Sequence, residues 1–217
     1  ITNWMRVGFI HGVMNTDNMT LSGETIDYGP CAFMNNYDPN TKFSSIDHMG
    51  RYSYKNQPII AQWNIARFAE TLLPLISSDL NEAIKNAEDV IKSIPEMYKT
   101  SWLNMMRKKL GLVDKENGDE NIINSLLFWM ESNDADFTNT FVDLMNEKNL
   151  DHAIYKSQEF KNWFKIYKKR KLSKNFSKSE SFRLMKENNP LVIPRNNIVE
   201  DVLESADQGD LSPLKKF

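Results

Sequence analysis

From Pro58 onward, apolar residues recur three and four positions apart, the spacing of one face of an α-helix. Ile59, Trp63, Ala66 and Leu73 trace the first such stripe, with Pro58 suited to an opening helical turn and Pro74 interrupting the pattern near Leu75. The same period predicts helices over Asp79–Ile94, Pro95–Leu110 with a stop at Gly111, Asn121–Glu131, Phe137–Asn146, Glu159–Lys171, Lys178–Asn188 and Asn197–Ala206. The first fifty residues read differently, because Gly8, Gly12, Gly23, Gly29 and Gly50 concentrate turn signals there. Met19–Leu21 and Glu24–Ile26 flank Ser22-Gly23 and predict a short β-hairpin. Residues 28–57, with Pro30 and Pro39 among Asn and Asp, predict a long loop. The expected fold class is mainly α with a small β-hairpin, with the weakest ordering over Asp114–Asp119 and after Asp207.

Composition narrows the picture by exclusion. Lys plus Arg (27) nearly balance Asp plus Glu (29) for a net charge of -2, so no global field favours nucleic acid or an anionic membrane, and neither is an expected partner. Cys31 is the single cysteine, which excludes an intrachain disulfide, and no Cys/His cluster offers zinc ligands, since His48 and His152 are isolated. A reducing compartment is expected, cytoplasmic in a bacterium and mitochondrial in a eukaryote. No run of 18 apolar residues is present. The chain opens without Met in a stretch whose Trp4, Met5, Val7, Phe9 and Ile10 read as the middle of a buried element, so a piece of a longer protein is expected.

Candidate chemistry lies in the glycine-rich part. His11-Gly12-Val13-Met14-Asn15-Thr16-Asp17-Asn18 is followed, nine residues after Asn18, by Asp27-Tyr28-Gly29. The order resembles a protein-kinase catalytic loop followed by its metal-binding triplet, in which an Asn and an Asp hold Mg²⁺ against phosphates. Asn18 and Asp27 fit the metal positions, and their oxygens suit Mg²⁺ or Mn²⁺. Val13 stands where the usual catalytic Asp would be, and a valine cannot accept a proton. Asp17 is the nearest replacement as general base. The competing reading is that Asp17, Asn18 and Asp27 merely cap and turn the backbone, as short Asx side chains do. His11 is read as a structural hydrogen-bonding residue and stays outside the catalytic set.

The run HGVMNTDNMTLSGETIDYGPCAFM, continued by YDPNT and SSIDHMGRYSYKNQPIIAQWNIARFAETLLPL, resembles the selenoprotein O/YdiU family of protein adenylyltransferases. SWLNMMRKKLGL, ADFTNTF and MKENNPLVIPRNNIVEDVLESA extend the resemblance over nearly the whole chain. It implies the C-lobe-like portion of a kinase-like fold plus family-specific C-terminal helices. Residues 1–78 would carry the catalytic-loop and metal-binding part, with the helical region 79–217 packed on it. It also implies that ATP, bound in a flipped orientation, gives AMP to Ser, Thr or Tyr hydroxyls of proteins with release of pyrophosphate. Asp17 would be the proton acceptor, Asn18 and Asp27 the metal ligands, and Asp27 a nucleotide contact as well. Alternatives are γ-phosphoryl transfer and a non-catalytic scaffold. Two departures stand out: Asn197 replaces the family's usual His, and the Lys215-Lys216-Phe217 end lacks the family's Cys or selenocysteine. Nothing in the chain matches the family's N-terminal lobe with its phosphate-contacting Lys and Arg, so the lobe is an expected partner and the chain alone is expected to fold without activity.

Two further features carry two readings each. Lys161–Lys174 mixes lysines and Arg170 with Trp163, Phe164 and Tyr167, which fits a nucleic-acid or acidic-partner patch or, preferably, an amphipathic helix with buried aromatics and solvated cations. Arg51 and Tyr52 follow Gly50, where they contact substrate or nucleotide or else Arg51 pairs with Asp47, the structural role being preferred.

Overall fold

A computed structural model describes residues 1–172 and 177–216. In chain order it contains α1 (Thr2–Val7), β1 (Phe9–Ile10), β2 (Ala32–Phe33), α2 (Gln57–Ile76), α3 (Leu80–Lys109), α4 (Asp119–Ser132), α5 (Phe137–Met145), α6 (Gln158–Lys171), α7 (Lys178–Asn188), α8 (Asn196–Asp207) and α9 (Ser212–Lys216). The class is mainly α with one small antiparallel pair, Phe9 opposite Phe33 and Ile10 opposite Ala32.

That pair is not the expected hairpin. Met19–Leu21 and Glu24–Ile26 do not form strands, and only a turn survives there, in which the Gly23 N–H donates to the Thr20 carbonyl at 3.3 Å. The segment offers no face to bury, since Leu21 is 84% exposed. Its polar side chains also bond locally, Thr20 Oγ1 to Ser22 Oγ at 2.7 Å and Ser22 Oγ to Glu24 Oε2 at 2.9 Å, in competition with a ladder. Strands form instead where Phe9, Ile10 and Ala32 are buried.

The two helices expected either side of Pro95 are one continuous α3. A proline inside a helix leaves the carbonyl four residues earlier without its N–H partner. Here that carbonyl, of Ile91, accepts from Gln62 Nε2 on α2 at 3.1 Å, so the neighbouring helix supplies the missing bond. Asp119, at the end of the stretch expected to be weakly ordered, is firmly anchored. Asp119 is fully buried and its carboxylate takes Arg107 Nε at 2.7 Å, Arg170 Nε at 2.7 Å and the Glu116 N–H at 2.9 Å. Sequence reading misses this because its cations lie 12 and 51 residues away.

The main core runs through α3 to α7, around Met106, Leu110, Ile123, Leu126, Phe137, Phe141, Tyr167 and Met185. Helix α6 is amphipathic as preferred: Phe160, Trp163 and Tyr167 are buried, with Trp163 Nε1 donating to Ile122 O at 2.8 Å and Tyr167 OH to Leu110 O at 2.8 Å. Arg170 is held in the Asp119 cluster and Lys168 pairs with Glu147 at 3.1 Å. Lys174 and Phe217 lie outside the described residues.

Candidate active site

Residues 11–31 leave β1 and return to β2 as a single excursion that contains every candidate catalytic residue. It rests on a small second core of Met14, Ile60 and Ala61, with Trp4, Met19 and Tyr52 packed around it. Buried polar side chains from α2 hold its backbone. Gln57 accepts the His11 N–H at 3.1 Å and donates to Phe9 O at 3.0 Å, and Asn64 Nδ2 donates to Met14 O at 3.0 Å. These groups do for an irregular loop what a ladder does for a strand: they satisfy backbone groups that water cannot reach.

His11 joins the two halves of the excursion. Its ring is buried and stacks on Trp4 at 5.4 Å. Nε2 lies 2.8 Å from the Ile26 carbonyl, and Nδ1 accepts the Val13 N–H at 3.4 Å. A carbonyl only accepts, so Nε2 carries a proton and donates this bond. Trp4 adds a second tie through Nε1–H to Thr25 Oγ1 at 2.8 Å. Gly12 permits the close approach: at φ +85° an added Cβ would lie 2.7 Å from Pro30 O. The residue before Asp27 is therefore fixed against the start of the loop that carries Asp17 and Asn18.

Thr16–Asn18 form a single 3-10 turn. Asn18 Nδ2 donates to Val13 O at 2.9 Å, closing the loop on itself. Because the amide nitrogen takes this bond, Oδ1 is the atom left to accept or to ligate. Asp17 and Asp27 are exposed and Asn18 is half-buried. Asp27 has φ 54°, the left-handed region that non-glycine residues adopt at some energetic cost, and Gly29 N–H donates to its carbonyl at 2.8 Å. No hydrogen bond or ion pair joins Asp17, Asn18 and Asp27 to one another among the described residues. Each is held through the backbone around it. Asn18 Oδ1 and the Asp27 carboxylate are hard oxygen donors, and that donor chemistry fits Mg²⁺ or Mn²⁺. Among the described residues no group of three or more His, Cys, Asp or Glu is arranged to hold a metal, so a cation here would depend on the amide and on other oxygens.

A family model described as "Protein adenylyltransferase SelO" matches residues 1–217. The chain belongs to this family. Proteins named "Protein nucleotidyltransferase YdiU" are similar over essentially all of it. The one from Clostridium perfringens is 54% identical over 212 residues, 98% of this chain and 43% of its own length. Those from Nitrosococcus oceani and Pelagibacter ubique are 54% and 52% identical over 100% of this chain and 44% and 45% of their own lengths. The chain thus spans under half the length of the curated relatives it matches. No helix among the described residues is long and apolar enough to cross a membrane.

Gln57, Asn64, Trp4 and Tyr52 support the loops and were not singled out from sequence as doing so. A signal existed for two of them. Gln57, Ile60, Ala61 and Asn64 share one buried face of α2 at helical spacing, and a polar residue on such a stripe needs an internal partner. Asp47 was expected to pair with the Arg51 side chain. It accepts instead the backbone N–H of Arg51 at 2.8 Å and of Tyr52 at 2.9 Å.

Proposed function

We propose that the full-length protein is a protein adenylyltransferase, transferring AMP from ATP to Ser, Thr or Tyr hydroxyls of proteins and releasing pyrophosphate. The observation that carries this reading is the loop pair in a member of the SelO family, with Asp17 and Asn18 on one loop and Asp27 on the other, tied together by His11 and Gly12. In the proposed reaction the target hydroxyl oxygen attacks the α-phosphorus of ATP. The bond from that phosphorus to the bridging oxygen breaks, pyrophosphate leaves with the electron pair, and Asp17 takes the hydroxyl proton. Asn18 Oδ1 and Asp27 would hold Mg²⁺ or Mn²⁺, which supplies charge neutralisation at the phosphates. The Asn18 amide is oriented for this by its bond to Val13 O, and Asp27 would also face the nucleotide.

The proposal includes a kinase-like C-lobe, with residues 1–78 carrying the loops and residues 79–217 bracing them. A separate N-terminal lobe of the same protein would supply the cationic phosphate contacts, and the location would be the cytoplasm in a bacterium. Val13 favours AMP transfer over γ-phosphoryl transfer, since the latter would keep a carboxylate at that position. Incubating the full-length protein with Mg²⁺ and ATP labelled in the α-phosphate, with a hydroxyl-bearing protein acceptor, tests the reading by intact mass. A gain of AMP on protein is expected. A gain of phosphate alone selects γ-phosphoryl transfer, and no gain on any acceptor selects a scaffold.

A further inference from the structure

A cluster of cations on the exposed Trp63 ring and the half-buried Tyr52 ring lies beside the loop pair. The Arg51 guanidinium carbon sits 4.9 Å from the centre of the Trp63 ring and 5.7 Å from that of Tyr52, and the Arg67 guanidinium lies 5.4 Å from the same Trp63 ring. Trp63 is 42% exposed. Arg67 pairs with Glu70 at 2.7 Å, whereas Arg51 has no ion-pair partner among the described residues, Asp47 being engaged by backbone N–H groups. Two guanidiniums on one ring repel each other, and only one of them is neutralised. The shelf is tied to the candidate base loop, because Tyr52 OH donates to Asn15 Oδ1 at 2.6 Å, two residues before Asp17. On the same side, a groove of about 470 Å³ runs between that loop and α2, lined by Thr16, Met19, Leu21, Ile65, Arg67 and Phe68.

We propose that this surface docks the target polypeptide, with an Asp or Glu side chain of the target on Arg51 and apolar residues of the same segment in the groove. The proposal rests on the reading that the full-length protein modifies protein hydroxyls, and it names which proteins: those with a carboxylate near the acceptor. Charge complementarity selects the occupant. The planar guanidinium, already held over the Trp63 ring, presents a fork that a carboxylate matches in a bidentate manner. The apolar lining favours a polypeptide over a small anion, which would have no use for Met19, Leu21 and Phe68.

The test measures docking apart from turnover. Fluorescein-labelled peptides with one acceptor hydroxyl, identical except for flanking Glu or flanking Lys, are titrated into the full-length protein by anisotropy. Wild type is expected to bind the Glu peptide about tenfold tighter, the scale of one charged hydrogen-bonded contact. Arg51→Gln should remove that preference, Arg51→Glu should reverse it, and Trp63→Leu should weaken it, with MgATP affinity and melting temperature unchanged for both Arg51 variants. Equal binding of the two peptides by wild type overturns the proposal, as does an equal loss for both peptides in Arg51→Gln. Loss of MgATP or pyrophosphate binding in Arg51→Gln overturns it too, by assigning Arg51 to the nucleotide. Glu-selective binding without AMP transfer to any acceptor leaves the docking surface standing and sinks the proposed function.

Discussion

The loop region over residues 11–31 and the helical body from α3 to α7 are held together by different means. In the body, large side chains interlock, as in the stack of Trp163 on Tyr167 at 5.1 Å and the packing of Phe137 against Phe141 at 5.4 Å. The loop region has a core of only Met14, Ile60 and Ala61, and its shape is fixed by single polar side chains reaching backbone groups: His11, Gln57, Asn64 and Asn18. Apolar packing is non-directional and scales with area, so it suits helices whose faces are already defined. A hydrogen bond to a named carbonyl is directional and can hold an irregular loop in one conformation with little buried area. The body should therefore govern stability, and the loops should govern activity.

The sharpest test of that division is Asp27→Ala in the full-length protein. On the proposed function it abolishes AMP transfer, a loss of about a thousandfold or more on the scale of removed electrostatic stabilisation. The melting temperature should fall only slightly, because Asp27 is exposed and the one cost is that alanine tolerates its φ of 54° less well than Asp does. Asp17→Ala should lower kcat while ATP affinity, read by calorimetry, is retained; equal loss of affinity in both variants would remove Asp17 as the base.

The opposite behaviour is expected of Asp119→Ala. It removes the buried carboxylate shared by Arg107 and Arg170, leaving Arg107 with Asn104 Oδ1 at 2.8 Å and Arg170 with Glu116 at 3.3 Å, and should destabilise by about 2–4 kcal/mol in denaturant titration. Burial works against the Asp119 carboxylate, but hydrogen bonds from Arg170, the Glu116 N–H and Arg107 outweigh it and hold the group below its ordinary range. A lowered folded value means that the unfolded chain binds the proton more readily. The contribution is thus complete above the ordinary carboxylate range and is lost as pH falls through the depressed value, so wild type should lose stability toward acid more steeply than Asp119→Asn.

Gln57→Leu probes the clamp itself. It leaves the His11 N–H and the Phe9 carbonyl without a partner, and a destabilisation of about 1–3 kcal/mol is expected, with a larger proportional fall in activity than any body variant of equal stability loss. Should Gln57→Leu lower stability and leave activity intact, the loop would be positioned by its apolar contacts and the contrast between the two regions would fail.

The smallest effect concerns Lys109, 1% exposed, with Nζ donating to Arg6 O at 2.7 Å and lying 4.0 Å from the Phe141 ring centre. Burial, with a lesser push from Arg6, drives its ammonium well below the ordinary lysine range. Here the unfolded chain again holds the proton more readily, so stability should rise with pH between the depressed folded value and the ordinary lysine range. Lys109→Met should flatten that rise while changing neutral-pH stability by about 1 kcal/mol, because an apolar chain of similar length fills the site. An unchanged pH slope would show that another group titrates.

Helical period, prolines and glycines determined most of the helix inventory, since α2, α4 to α8 and the stop of α3 at Gly111 follow from local side-chain pattern and backbone preference. The order of His11, Asp17, Asn18 and Asp27 was equally local and pointed to a kinase-type loop and metal triplet, while the longer run around it pointed to the family. Contacts between distant residues decided the rest. Pro95 stays inside α3 because Gln62, 29 residues away from Ile91, replaces the missing bond. Residues 114–119 are anchored because Arg170 arrives from α6. The strand pair forms at Phe9 and Phe33, and not at the Ser22-Gly23 turn, because pairing needs a buried face, and only the packed body offers one. Local pattern states what a segment prefers, and burial, which depends on the whole chain, selects which preference is realised.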